Sequence, residues 1–243
     1  MKMELWRNLM KPITIIKTGK TFPDLIDKNG DFEDWISRGI GLPNSEIKIV
    51  NAESDILPEP DQIRGAIISG SHAYVTDNLD WCLRLEHWTK MIIDNQMPLL
   101  GICFGHQVIA KAMGGIVDFH PISLEIGTKE IELLPSCEND PLFTGLPARF
   151  KVHLFHSQSV IQLPANTTVL ARNEFEPHQA VRVGKNAWGV QFHPEANSAA
   201  TRGYIQNLLA DVKSADYEPD QLFEQIEETP YSASLLKRFV ELI

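Results

Sequence analysis

Cys103 stands in the stretch Leu99-Leu100-Gly101-Ile102-Cys103-Phe104-Gly105-His106-Gln107, where an apolar run meets a Gly-x-Cys-x-Gly turn and a helix-forming segment follows. A strand that turns sharply into a helix is the frame of a nucleophile elbow, here carrying a thiol. Such a turn holds the nucleophile in a strained backbone conformation. Glycines two residues to either side remove Cβ atoms that would crowd the turn. The thiol then lies over a helix N-terminus, whose dipole and free N–H groups favour the thiolate. The Phe104 N–H points to where a carbonyl oxygen would become an oxyanion. A cysteine in an apolar run is by default an inert core residue, but the two glycines, the strand before and the helix after argue against that. A dinucleotide loop is excluded because the stretch lacks the G-x-G-x-x-G spacing.

A thiol nucleophile needs a proton acceptor that later becomes a donor. Gly189-Val190-Gln191-Phe192-His193-Pro194-Glu195 supplies the candidate. A strand leads into His193, and in extended chain residues i and i+2 project to the same side. Glu195 is thereby placed to hold the imidazole in one tautomer and to stabilise its charged form. A histidine at a strand end is common, so this triplet is informative because of the elbow upstream of it: such partners meet in space rather than in sequence.

Together these motifs resemble those of the class I glutamine amidotransferases. GICFGHQ matches that family's cysteine box and GVQFHPE its histidine-glutamate box. ISGS (68–71), LEIG (124–127), PLFTGLP (141–147) and FHSQSV (155–160) are similar to further landmarks in the same order. The resemblance covers about residues 12–205. It is strongest to the amidotransferase half of GMP synthase and extends to plant γ-glutamyl peptidases. It implies that Cys103 attacks a γ-carbonyl to form a γ-glutamyl thioester. His193 activates the thiol and protonates the leaving ammonia, and Glu195 orients His193. The oxyanion is held by N–H groups of Phe104 and of Gly70 or Ser71. Gln107 and the loop His156-Ser157-Gln158 bind the substrate. No cofactor and no metal are implied. The partner implied is glutamine or another γ-glutamyl compound, with a separate ammonia-accepting synthetase as a further possibility. Two places depart from the family wording. Ser69-Gly70-Ser71-His72 replaces S-G-G-P, and the loop reads His156-Ser157-Gln158-Ser159 rather than S-H-G-D. Three functions follow: an amidotransferase or glutaminase, a hydrolase of γ-glutamyl peptides or conjugates, and a non-catalytic binding protein, which the intact Cys103, His193 and Glu195 disfavour.

The elements needed to position these groups are legible as patterns. Short β-branched or apolar runs at Ile13–Ile16, Glu46–Val50, Gly65–Ser69 and Met97–Ile102 read as strands. Asp80–Asp94 and Phe104–Met113 read as helices, the latter stopped by Gly114 and Gly115. The order predicts an α/β fold with a central mostly parallel sheet and helices on both faces, and the resemblance implies the family's three-layer, flavodoxin-like form. Shorter strands at 130–133, 149–154, 160–163 and 168–171, with a hairpin over 180–192, predict antiparallel additions. Helices follow at about 198–213, 219–228 and 233–243. We therefore expect one domain over residues 1–205 and a helical extension, 206–243, packed upon it.

Bulk properties narrow the function classes. The 243 residues carry 22 Lys+Arg against 32 Asp+Glu, a formal charge of −10. That balance repels phosphate backbones and anionic lipid, so nucleic acid and membrane surfaces are not expected partners. Three cysteines, Cys82, Cys103 and Cys137, make no disulfide framework and suit a reducing cytoplasm. Met1–Ile16 shows no signal-peptide core, its apolar runs being broken by Arg7, Asn8 and Lys11. Cys82 and the stripe Trp81, Leu85, Trp88 read as helix packing, Cys137 as a loop residue, and Asp31, Glu33 and Asp34 as solvated surface. His72 and His106 flank the motifs and read as supporting or surface residues. His153 and His156 make poor metal geometry on a strand.

Overall fold

The computed structural model describes residues 11–243; the N-terminal expectation therefore lies partly outside the described residues. The chain runs β1 (Ile13–Lys17), α1 (Pro23–Asn29), α2 (Phe32–Ile40), β2 (Ile47–Asn51), β3 (Gly65–Ile68), α3 (Asp80–Asp94), β4 (Leu99–Ile102), α4 (Phe104–Ala112) and β5 (Ile116–Phe119). Strands β6 (Glu125–Leu133), β7 (Arg149–His156), β8 (Gln158–Gln162), β9 (Thr167–Arg172), β10 (Ala180–Val183) and β11 (Ala187–Val190) follow. Four helices close it: α5 (Ser198–Asn207), α6 (Leu209–Ser214), α7 (Pro219–Glu224) and α8 (Pro230–Glu241).

Nine strands form one sheet in the order β2-β1-β3-β4-β11-β10-β9-β6-β7. The first five are mutually parallel, and their order is that of a flavodoxin-like sheet. The remaining strands join antiparallel, beginning with the β10–β11 hairpin. The expected α/β architecture is therefore present. β5 and β8 pair apart from it as a two-stranded ribbon. β5 escapes a reading by pattern because it is four residues long with three of them exposed.

Alternation along the parallel strands divides the core into two layers. Ile13, Ile15, Ile67, Leu100 and Ile102 face one side, where Ile36 of α2 and Leu235, Leu236 and Phe239 of α8 cover them. Ile16, Ala66, Ile68 and Leu99 face the other, under Cys82, Leu85 and Trp88 of α3 and Val108 and Ile109 of α4. A third cluster joins Leu25 and Phe32 to Phe155, Tyr204, Val212 and Leu222. Among the described residues no helix is long and apolar enough to cross a membrane.

Two local expectations are corrected. The acidic run at 31–34 is solvated surface only at Asp34; Glu33 is half-buried and Asp31 buried. Asp31 is only 4% exposed; its carboxylate accepts from the Thr21 and Phe32 N–H groups and pairs with Lys17 at 2.8 Å. Asp34 returns the bond to the Asp31 N–H, completing a capping box at the start of α2. Four donors converging on adjacent carboxylates explain the burial. The helix expected over 198–213 is in fact two, α5 and α6, broken at Leu208.

The elbow is locked by close backbone approach. A Cβ on Gly101 would lie 2.4 Å from the Gly105 carbonyl group, and one on Gly105 2.5 Å from the Ile68 carbonyl oxygen. The flanking glycines thus let α4 press onto β3 and β4, rather than merely clearing space for the thiol. Gly105→Ala is expected to destabilise the fold by about 1–3 kcal/mol, the usual range for overpacking. The check is the denaturant midpoint; no shift would mean that α4 can lift from β3 without loss.

Candidate active site

Cys103 caps α4 with φ 49° and ψ −98°, outside the regions that suit an L-residue. The strain is held by the bond from its N–H to the Val190 carbonyl, 2.8 Å, and by the packing of α4. The parallel register Gly101–Gly189 and Ile102–Val190 brings Cys103 beside Gln191. Gln191 is fully buried, and its Nε2 reaches the Cys103 sulfur at 3.5 Å.

His193 follows just beyond β11. Its Nδ1 donates to Glu195 Oε1 at 2.8 Å. Its Nε2 is buried and has no hydrogen-bond partner. The pair sits in the turn after the strand, so the turn rather than strand alternation brings the two side chains together. Burial acts to lower the proton affinity of His193, but the Glu195 carboxylate and the neighbouring Cys103 outweigh it and raise it above the ordinary histidine value. The ring is also held by stacking. Phe155 lies on it at 4.1 Å between centroids, and Phe32 is near-parallel at 6.2 Å. Phe155 stacks in turn on Tyr204 at 4.0 Å, using its other face. A Cβ on Gly70 would lie 2.9 Å from His193 Cε1, so a glycine is what permits the imidazole this position.

The other expected residues gather at the same place. Cys103, Phe104, Ser71, Gln107 and the loop His156-Ser157-Gln158 line one cavity of about 560 Å³. Ser71 has negative φ, and its hydroxyl is turned to the Thr18 carbonyl, 2.7 Å, and the Ala73 N–H, 3.0 Å. Among the described residues the Gly70 and Ser71 N–H groups find no protein acceptor.

The expected substrate-binding residues prove to be more tightly built into the wall than exposed for contact. Gln107 Nε2 donates to the Gln158 carbonyl at 2.8 Å and to Gln191 Oε1 at 3.1 Å, which commits both amide hydrogens. Only its oxygen remains for a ligand. Gln158 is 2% exposed, with Nε2 bound to Thr76 Oγ1 at 2.6 Å. His156 Nδ1 faces the Gln158 carbonyl at 3.0 Å and its Nε2 faces Glu125 at 2.9 Å. Both neighbours are acceptors, so both nitrogens must donate and the ring is an imidazolium. Burial opposes that charge, and the Glu125 carboxylate raises the proton affinity against it. Glu125 is fixed by Asn173 and Gln179.

Gln191, Phe155, Tyr204 and Glu125 were not singled out in the sequence. Gln191, Glu125 and Phe155 sit within the matched stretches GVQFHPE, LEIG and FHSQSV and are within reach of the sequence; Tyr204 has no local signal. His106 is not at the surface. It is fully buried under the elbow, its nitrogens unpartnered, and burial pushes it down to about 3. His72 stands in the cavity wall and bonds to the Tyr204 hydroxyl at 3.0 Å. Burial pushes the Cys82 and Cys137 thiols up to about 12, which disfavours the thiolate at both. Among the described residues no group of three or more His, Cys, Asp or Glu side chains is arranged to hold a metal ion.

With this geometry in place, the comparisons define the class. The model of the family described as glutamine amidotransferase class-I matches residues 24–212, and the chain belongs to that family. The particular relatives are of two kinds. GMP synthase (glutamine-hydrolyzing) of Aeropyrum pernix is 35% identical over 189 residues, covering 76% of this chain and 35% of that protein. A glutamine-hydrolyzing GMP synthase subunit of Pyrococcus abyssi is 36% identical over 159 residues, covering 61% and 79%. Gamma-glutamyl peptidase 4 of Arabidopsis thaliana is 29% identical over 165 residues, covering 67% and 66%. The chain thus spans about a third of the first of these and most of the second. A glutamine amido transferase from Methylobacillus flagellatus shares the fold, with a TM-score of 0.76 at 21% identity over 96% of this chain and 95% of that one.

The raised proton affinity of His193 depends on the Glu195 charge, which yields a signed prediction. Glu195→Gln keeps the hydrogen-bonding shape but leaves burial, which opposes the imidazolium, less opposed. The pH at which His193 loses its proton is therefore expected to fall. Imidazole NMR across a pH series reads this directly; an unmoved titration would mean that Glu195 does not stabilise the charge.

Proposed function

We propose that the chain is a class I amidotransferase-type hydrolase that attacks γ-glutamyl amides with Cys103. The observation that carries this is a strained, cavity-facing Cys103 close enough to the buried His193–Glu195 pair to raise the His193 proton affinity. Neutral His193 takes the thiol proton at its unpartnered Nε2, and the imidazolium so formed is stabilised between the Glu195 carboxylate and the Cys103 thiolate. The thiolate adds to the γ-carbonyl, and the oxyanion is held by the N–H groups of Phe104 and of Gly70 or Ser71. The C–N bond breaks as His193 returns the proton to the leaving nitrogen. Water, activated by His193, then hydrolyses the γ-glutamyl thioester to glutamate. With glutamine as substrate the product is ammonia. The Pyrococcus relative is by name one subunit of its synthase, which supports a separate ammonia-accepting synthetase as partner. Three free cysteines suit the cytoplasm. We read residues 206–243 as packed on the same unit, supported by Leu235, Leu236 and Phe239 in the shared core.

A second reading, hydrolysis of γ-glutamyl peptides or conjugates by the same chemistry, is favoured by the cavity. Pockets of roughly 300–1,000 Å³ enclose drug-sized ligands, and about 560 Å³ is more than a free amino acid fills.

The test is mass-spectrometric trapping of the acyl-enzyme with glutamine and γ-glutamyl compounds. A mass increase matching a γ-glutamyl group on Cys103 is expected, and none on Cys103→Ala with its thermal unfolding unchanged. Turnover by that variant would assign the chemistry to another residue. Ser157→Gly with Gln158→Asp is expected to change the ratio of specificity constants for glutamine and a γ-glutamyl dipeptide by about tenfold to a hundredfold. That is the effect of altering buried polar partners by ~1–3 kcal/mol. A constant ratio would remove the loop from substrate choice.

A further inference from the structure

We propose that the preferred substrates are γ-glutamyl amides of bulky aromatic amines that carry no carboxylate. The inference rests on the hydrolase reading above and names the leaving group. The leaving nitrogen must receive its proton from His193, so the group attached to it extends to the His193 side of Cys103. That side is aromatic. Phe155 stacks on His193 and Tyr204 on Phe155. Phe22 and His72 continue the surface, their rings 4.6 Å apart and 5.2 and 5.8 Å from Tyr204. All four line the cavity.

Gln107 and His156-Ser157-Gln158 supply a polar wall, bordered by Phe119 opposite Gln158, and there the buried His156 cation and the free Gln107 oxygen suit the charged α-groups of the glutamyl moiety. Ammonia would leave the aromatic half with no apolar surface to bury, whereas an arylalkylamine would stack there. After the break at Leu208, α6 continues along the cavity from Tyr204, so that Leu208, Asp211 and Ala215 also line it. Asp211 is exposed at that rim. Among the described residues no lysine or arginine lines the cavity. A leaving group with its own carboxylate, as in a γ-glutamyl dipeptide, would therefore meet the like charge of Asp211 at the rim with no lysine or arginine there to offset it. The reaction balances as a hydrolysis: the γ-glutamyl C–N bond breaks, water supplies the oxygen to glutamate, and the amine departs with the proton from His193.

The experiment is steady-state kinetics of the full chain with γ-glutamyl-2-phenylethylamide, γ-glutamylphenylalanine and glutamine. The first is expected to exceed each of the others at least tenfold in kcat/KM. Asp211→Lys, a change at an exposed position, is expected to narrow the gap between phenylethylamide and phenylalanine compounds at least threefold, more so at low salt. Glutamine or γ-glutamylphenylalanine matching the phenylethylamide would overturn the proposal, as would a ratio unmoved by Asp211→Lys. If no γ-glutamyl compound, glutamine included, acylates Cys103, the hydrolase reading falls and takes this one with it. If glutamine acylates and the phenylethylamide gains nothing over it, only the leaving-group proposal falls.

Discussion

The parallel pairing of β4 with β11 is the constraint on which the site depends. Gly101 lies opposite Gly189 and Ile102 opposite Val190, so the next residues out of the sheet are Cys103 on one strand and Gln191 on the other. Side-chain period in a strand is two, and a slip of one residue would send the partner strand's side chains to the opposite face. β3 pairs on the other side of β4 with Ile68 opposite Gly101, which brings Gly70 under His193. Three strand ends therefore deliver Cys103, His193 and the Gly70–Ser71 turn to one point. This is the carboxyl edge of a parallel sheet, where such folds place ligands.

Burial then sets the electrostatics. Taking an imidazolium from water is unfavourable by several kcal/mol unless a partner is equally fixed. The protein arranges that twice, with His193 against Glu195 and His156 against Glu125. The two pairs differ in what remains open. His156 has both nitrogens engaged and is a fixed charge in the wall. His193 keeps Nε2 free and is the group able to move a proton. Stacking by Phe155 and Phe32 limits rotation of that ring, so the free nitrogen keeps its aim without a hydrogen bond of its own.

The sequence made the chemistry legible and its surroundings much less so. Gly101, Cys103, Gly105, His193 and Glu195 are read from short-range spacing, because the elbow and the His-Pro-Glu turn are local structures. The parallel sheet is legible for the same reason: each strand is a short apolar run between turn signals. Glu125 and Phe155 fall within the LEIG and FHSQSV landmarks, but their contacts with His156 and His193, and the place of Tyr204, depend on elements far apart in the chain that no local pattern encodes. The acidic run at Asp31 misleads because charge alone does not reveal that Lys17, Thr21 and a helix N-terminus converge on it. The break at Leu208 likewise leaves the 198–213 segment looking like one continuous amphipathic helix.

This division has a physical consequence for how specificity is distributed. The elbow cannot vary freely, since Gly101 and Gly105 are pressed against neighbouring backbone. The walls that meet the rest of a substrate are carried instead by β7 and its turn and by the α5–α6 break. There Leu208 and Ala215 are half-buried and Asp211 and Ser214 exposed, so side chains can change without disturbing the sheet. The family model ends at residue 212, within α6. The elbow and the His193–Glu195 pair thus belong to the rigid part of the fold, and the outer cavity wall belongs to the part with room to vary. One sheet edge can then carry cavities of different size and lining, depending on what the late helices place over Cys103.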